Sequence, residues 1–144
     1  MKKIIFLSLF MLFAVGNINA QAKKPISIIN VGASVKKFHE KSELDGMQKG
    51  ALLELYIERI KVLVNTLPYI ALTNKPGVTM ADVGVPDNAE NQKALISQQS
   101  NTQQFLLATV DFQRLMTPYA DKGNLISSIL YYESMLRELQ QLNE

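Results

Sequence analysis

The chain has no cysteine, no tryptophan and a single histidine, His39, among its 144 residues. Without cysteine it can form neither a disulfide nor a thiolate metal site. One imidazole cannot complete a zinc site built from nitrogen and sulfur ligands. A carboxylate-bridged di-metal bundle needs paired Glu-x-x-His helices, which one histidine cannot supply. Serine–histidine–acid catalysis would rest on His39 alone, in a lysine-containing linker where a solvated ring is expected. Neither common glycine-rich phosphate loop occurs. The sequence therefore assigns no catalytic, metal-binding or cofactor-binding residue.

What is present begins with an export signal. Lys2 and Lys3 precede an apolar run, Ile4 to Val15, broken only by Ser8. Gly16-Asn17-Ile18-Asn19-Ala20 follows, with Ile18 and Ala20 at the −3 and −1 positions of a signal-peptidase site. Cleavage there makes residues 1–20 a signal peptide and Gln21 the mature terminus. The run is too short to span a bilayer, which takes about 20 apolar residues. No cysteine follows to carry a lipid. The segment, ending Asn19-Ala20 before Gln21, resembles export signals of Gram-negative envelope proteins of the Bacteroidota kind. That resemblance implies a periplasmic or secreted protein.

The expected cut removes Lys2 and Lys3, leaving 13 of the 15 basic residues against 13 acidic ones. The pI of 8.8 thus belongs largely to the discarded segment. A neutral exported chain has no electrostatic claim on nucleic acid. With no disulfide available, stability must come from packing, and residues 21–144 are enough for one core.

The spacing predicts an all-α domain over residues 42–144, after an extended arm and linker over 21–41. The arm's Ile26-Ser27-Ile28-Ile29-Asn30-Val31 lies over the helices or offers a strand to a partner's sheet edge. A first helix is expected from Ser42, its acidic first turn favoured by the exposed N–H groups there. Asp45 and Lys49 are spaced as an i, i+4 pair. Gly46 and Gly50 mark either close approach by another backbone or weak first turns. Within this helix Leu53, Ile57, Ile60, Val64 and Leu67 form one apolar row, and Leu52, Tyr56 and Leu63, with Leu55 beside them, form a second. Only Glu54, Glu58, Lys61 and Asn65 make a continuous polar strip, so nearly every other side needs cover. Glu54 and Glu58 are the minimum carboxylate pair for glycoside chemistry, but sharing a strip with Lys61 reads as a solvated face.

Pro68 ends that helix. The connection from Tyr69 to Pro86 turns at Asn74-Lys75-Pro76-Gly77. It carries Tyr69, Ile70, Leu72, Val78, Met80, Val83 and Val85, and is expected to fold back as a lid on the second row. A second helix begins at Asp87 as cap and carries the row Thr102, Phe105, Thr109, Phe112, Met116 and Tyr119, widened by Leu106 and Val110, until Thr117-Pro118. Asp111 and Arg114 read as a surface pair. After Asp121, a third helix carries Leu125, Ile129, Tyr132, Leu136 and Leu139, with Glu133 and Arg137 as another surface pair. The short connection makes the second and third helices an antiparallel hairpin, and the first closes a three-helix bundle.

Function follows from unsatisfied surface. The expectation is a non-catalytic helical adaptor or accessory subunit that binds another envelope protein or forms a homo-oligomer, with no integral membrane span after signal cleavage. The predicted contact residues are Ile28, Val31, Tyr56, Leu63, Tyr69, Ile70 and Tyr131. The alternative is a carrier holding a small apolar ligand between helices, in a slot lined by tyrosines with Met47, Met80 and Met116.

Overall fold

The computed structural model describes residues 25–142, so the expected signal peptide and the terminus at Gln21 lie outside it. The chain is all-α, with no strand among the described residues. Its helices are α1 (Lys41–Asp45), α2 (Lys49–Thr66), α3 (Ala89–Met116) and α4 (Lys122–Gln141). Single 3-10 turns at Leu67–Tyr69 and Thr117–Tyr119 end α2 and α3, each with proline in its first turn.

Helix α2 is the central element, with both α3 and α4 packed on it. Leu52, Leu55, Ile57, Ile60, Val62 and Leu63 are all buried, on several sides of the helix. Glu54, Glu58 and Lys61 stay exposed and Asn65 is half-buried, which is the narrow wet strip their spacing predicts.

The cover on the second row comes from α4, not from the 69–86 connection. Leu44, Leu52 and Leu55 pack with Leu125, Ile126 and Ile129, and Val62 and Leu63 pack with Leu136. The connection instead folds against the arm. Ile28 N donates to Val78 O at 2.8 Å, Gly77 N donates to Ile29 O at 2.9 Å, and Ser27 bridges Thr79. Ile28, Ile29 and Ala33 then share a core with Tyr69, Met80 and Leu95. The arm thus lies over its own chain, where the Asn74–Gly77 turn supplies the pairing edge that the sequence did not reveal. Gly77 has φ +88, a conformation L side chains rarely adopt.

Helix starts differ from the expected ones in detail. The first helix breaks in two at Gly46, and Glu40, not Ser42, occupies the N-cap of α1. The Glu43 carboxylate accepts from Glu40 N at 2.9 Å and from Lys37 Nζ at 2.6 Å. A Cβ at Gly50 would meet nothing within 4 Å, and one at Gly46 only a carbonyl of its own helix. Among the described residues no backbone from another element approaches these glycines, and Gly46 ends a helix. Asp45 pairs with Lys41 at 3.0 Å, while Lys49 reaches Pro118 O at 2.7 Å. Asn88 rather than Asp87 caps α3, accepting from Asn91 N at 2.9 Å.

The larger difference is the missing hairpin seam. Helices α3 and α4 each pack on α2 but not along one another. The apolar row of α4 is already spent on α1 and α2. Helix α3 faces inward with Leu95, Thr102, Leu106 and Val110, so the predicted row keeps Thr102 and its widening residues inside while its centre turns away. Phe105, Phe112 and Met116 are left pointing outward.

Candidate functional site

Two arrangements stand out, one inside and one outside. Inside, Arg59 of α2 and Glu133 of α4 are each only 1% exposed. Arg59 Nη2 lies 2.8 Å from Glu133 Oε1, and Arg59 Nε donates to the same oxygen at 2.9 Å. The backbone N–H of His39 donates to Glu133 Oε2 at 2.6 Å, and the ring Nδ1 of His39 lies 2.9 Å from Oε1. Arg59 Nη2 also donates to Lys37 O at 2.6 Å. Arg59 Nη1 lies 3.2 Å from Glu58 Oε1 without the alignment of a hydrogen bond. Burial pushes the Glu133 carboxyl up, but the His39 and Arg59 hydrogen bonds outweigh it and hold it below the usual glutamate value.

This cluster overturns two readings of the sequence. His39 is not a solvated linker residue, and Glu133 does not pair with Arg137 on the surface. Arg137 stacks over the Phe38 ring at 4.7 Å instead. The signal was present in the sequence: Glu133 sits four residues after Ile129 and three before Leu136, inside the apolar row. Arg59 likewise falls between Ile57 and Ile60, off the polar strip.

Chemically the cluster is a clasp. A recess of about 180 Å³ adjoins it, lined by His39, Glu133, Ser134 and Arg137 among others. The Ser134 hydroxyl turns to Glu138 at 3.5 Å, which leaves no serine–histidine pair. The two carboxylates of the α2 strip are also separated by partners: Glu54 pairs with Arg114 at 3.1 Å and Glu58 with Arg59. Arg114 therefore bridges to α2 rather than to Asp111. Among the described residues, no group of three potential metal ligands occurs.

The predicted contact residues scatter. Ile28, Leu63 and Tyr69 are buried in the chain's own core and present no surface. Tyr56 is half-buried, stacked on Tyr132 with ring centroids 5.5 Å apart, and burial pushes its phenol up to about 12. Ile70 is half-buried, whereas Val31 and Tyr131 are exposed. The tyrosines and methionines line no common slot: Tyr69 and Met80 belong to one cluster, Met47 and Tyr56 to another, and Met116 and Tyr119 to the surface.

Outside, α3 carries the surface that sequence reasoning placed in the core. Phe105, Phe112, Leu115, Met116 and Tyr119 are all exposed along one side. From Ala94 to Val110 the helix holds no charged residue. Apolar residues on two faces of α3, Leu106 and Val110 on one and Phe105 and Phe112 on the other, left the sequence without a means of choosing the inner one. No family model, curated protein or solved structure matches the chain. Among the described residues, no helix is long and apolar enough to cross a membrane. The site must therefore be read from its own chemistry.

Proposed function

We propose that this protein is a non-catalytic helical adaptor or accessory subunit, exported by its first 20 residues and working in the periplasm or outside the cell. Its three long helices act as a bundle whose working surface is the outer side of α3. One observation carries the reading: Phe105, Phe112, Leu115 and Met116 of α3 and Tyr119 of the 3-10 turn after it lie exposed together. A large apolar patch of this kind marks an association site more often than a bare surface. Interface cores favour aromatic residues and methionine and are depleted of charge, as this patch is. Val31 and Tyr131, both exposed, are secondary contact positions.

The test is recovery of associated protein by tagged wild type and by Phe112→Glu from detergent-solubilised envelopes. A carboxylate at the centre of the patch should abolish recovery while leaving the domain folded. Equal recovery from both would reject the reading.

A further inference from the structure

We infer that the outer side of α3 is closed by a second copy of this chain, packed helix against helix across a two-fold axis. The inference rests on the association-surface reading above and names its occupant. The first ground is periodicity. On α3 Phe105 and Phe112 lie seven residues apart, as do Ala108 and Leu115, and Tyr119 continues the spacing into the 3-10 turn that follows. That is the a/d spacing of a helix–helix seam, and a straight stripe at this spacing fits the face of another helix. Among the described residues no helix fills that place, because α4 does not pack along α3.

The second ground is charge. An isologous contact presents the same patch to itself, so a patch carrying net charge would repel its copy. Helix α3 has no charged residue from Ala94 to Val110, and Phe112, Gln113, Leu115 and Met116 extend the neutral surface. The charges at its edge, Asp111 and an Arg114 paired with Glu54, are of opposite sign. A partner chosen for opposite charge would have little here to pair with, whereas the neutral patch matches itself.

The third ground is area. Phe105 and Phe112 are each 58% exposed, Leu115 69%, Met116 48% and Tyr119 86%. At about 200 Å² per large side chain, these five leave roughly 650 Å² of surface open. A stable contact takes about 800 Å² per partner, a size that Ala108, Gln104 and Asn101 alongside complete. Antiparallel pairing about an axis near Val110 sets Phe112 over the partner's Ala108 and Phe105 over the partner's Leu115. Phe112 of each copy then faces a small residue rather than its own counterpart, so the backbones can approach closely at the centre.

Sedimentation velocity of the purified protein from low to high micromolar tests this, with Phe112→Glu and Phe105→Glu alongside. Both positions are exposed, so circular dichroism and thermal melting should show the variants folded. The expected result is a dimer for wild type and a dissociation constant weakened by about a hundredfold or more in each variant, since each places an unpaired charge in the seam. A monomeric wild type at high micromolar, or a dimer that persists in both variants, overturns the second copy. A monomeric wild type whose envelope partner is lost in Phe112→Glu rejects the dimer and keeps the association surface. A monomer whose recovery is unaffected rejects both.

Discussion

The carboxylate of Glu133 and the guanidinium of Arg59 meet at 2.8 Å inside the core, and between them they hold the chain that leads into α1. Glu133 accepts from the backbone of His39 while Arg59 donates to the carbonyl of Lys37. One ion pair thus ties α2, α4 and the linker together. Every oxygen of the carboxylate is engaged, which is the condition under which a buried charge is tolerated.

Removing one partner strands the other charge in the core. Arg59→Ala and Glu133→Ala should each cost about 3–5 kcal/mol, whereas Arg59→Met combined with Glu133→Leu should cost far less than the sum of the two single changes. Denaturant unfolding followed by circular dichroism measures all three. Additive losses would show that the two side chains act independently.

The same carboxylate fixes the acid limb of stability. Its folded value is held below the ordinary glutamate value of 4.5, so the stabilisation is fully present above that pH and is lost as pH falls through the lower folded value. Wild type should therefore lose stability on acidification below about pH 4.5 more steeply than Glu133→Gln, which has no carboxylate to titrate there. Parallel melting curves against pH for the two proteins would contradict this.

At alkaline pH the sign reverses onto Tyr56. Burial, then the Tyr132 phenol, raises it to about 12, so its contribution is intact below the ordinary tyrosine value of 10.0 and is lost as pH rises towards 12. Ultraviolet titration should show tyrosinate forming late at Tyr56 and at Tyr69, whose phenol burial also raises, and Tyr56→Phe should shrink that late component. A late component unchanged in Tyr56→Phe would assign it elsewhere.

Gly77 holds the turn that pairs the connection with the arm. Its φ of +88, together with Val31 Cγ1 3.3 Å from where a Cβ would sit, predicts that Gly77→Ala costs about 1–2 kcal/mol. The loss should centre on the Ile28–Tyr69–Met80 cluster, read as faster hydrogen exchange at Ile28 N and Gly77 N. Unchanged exchange at these two amides would show that the turn adapts.

The central helix could be read from the sequence because its apolar residues outnumber what two neighbours can shield, and its wet strip of Glu54, Glu58 and Lys61 falls where their spacing puts it. The halves of the connection and the arm could not be joined in advance. Their pairing runs through Val78 and Thr79, which carry no strand pattern of their own. For α3 the difficulty was geometric. Leu106 and Phe105 are neighbours in sequence and about 100° apart on the helix, so both faces qualified as core. The burial of Thr102 and the half-burial of Gln99, whose amide donates to Ser27 O at 2.9 Å, put polar residues on the inner face and aromatic ones outside. Binary patterning reads that inversion backwards. The clasp is hidden for a simpler reason: the i, i+4 spacing of Glu133 and Arg137 reads as a surface pair, although Glu133 interrupts an apolar row.

Because the chain contains no cysteine, a single introduced thiol reports on contact between copies without background. Ala108→Cys places one in the middle of the exposed seam of α3, and Ser127→Cys places one on an exposed position of α4 as reference. The two Ala108 positions lie about one helical turn out of step across the two-fold, too far for a direct disulfide but within reach of a short bis-maleimide. With that reagent Ala108→Cys should convert almost wholly to a covalent dimer at low micromolar while Ser127→Cys stays monomeric. Equal, slow crosslinking of the two variants would contradict a helix seam left open by one copy and closed by another.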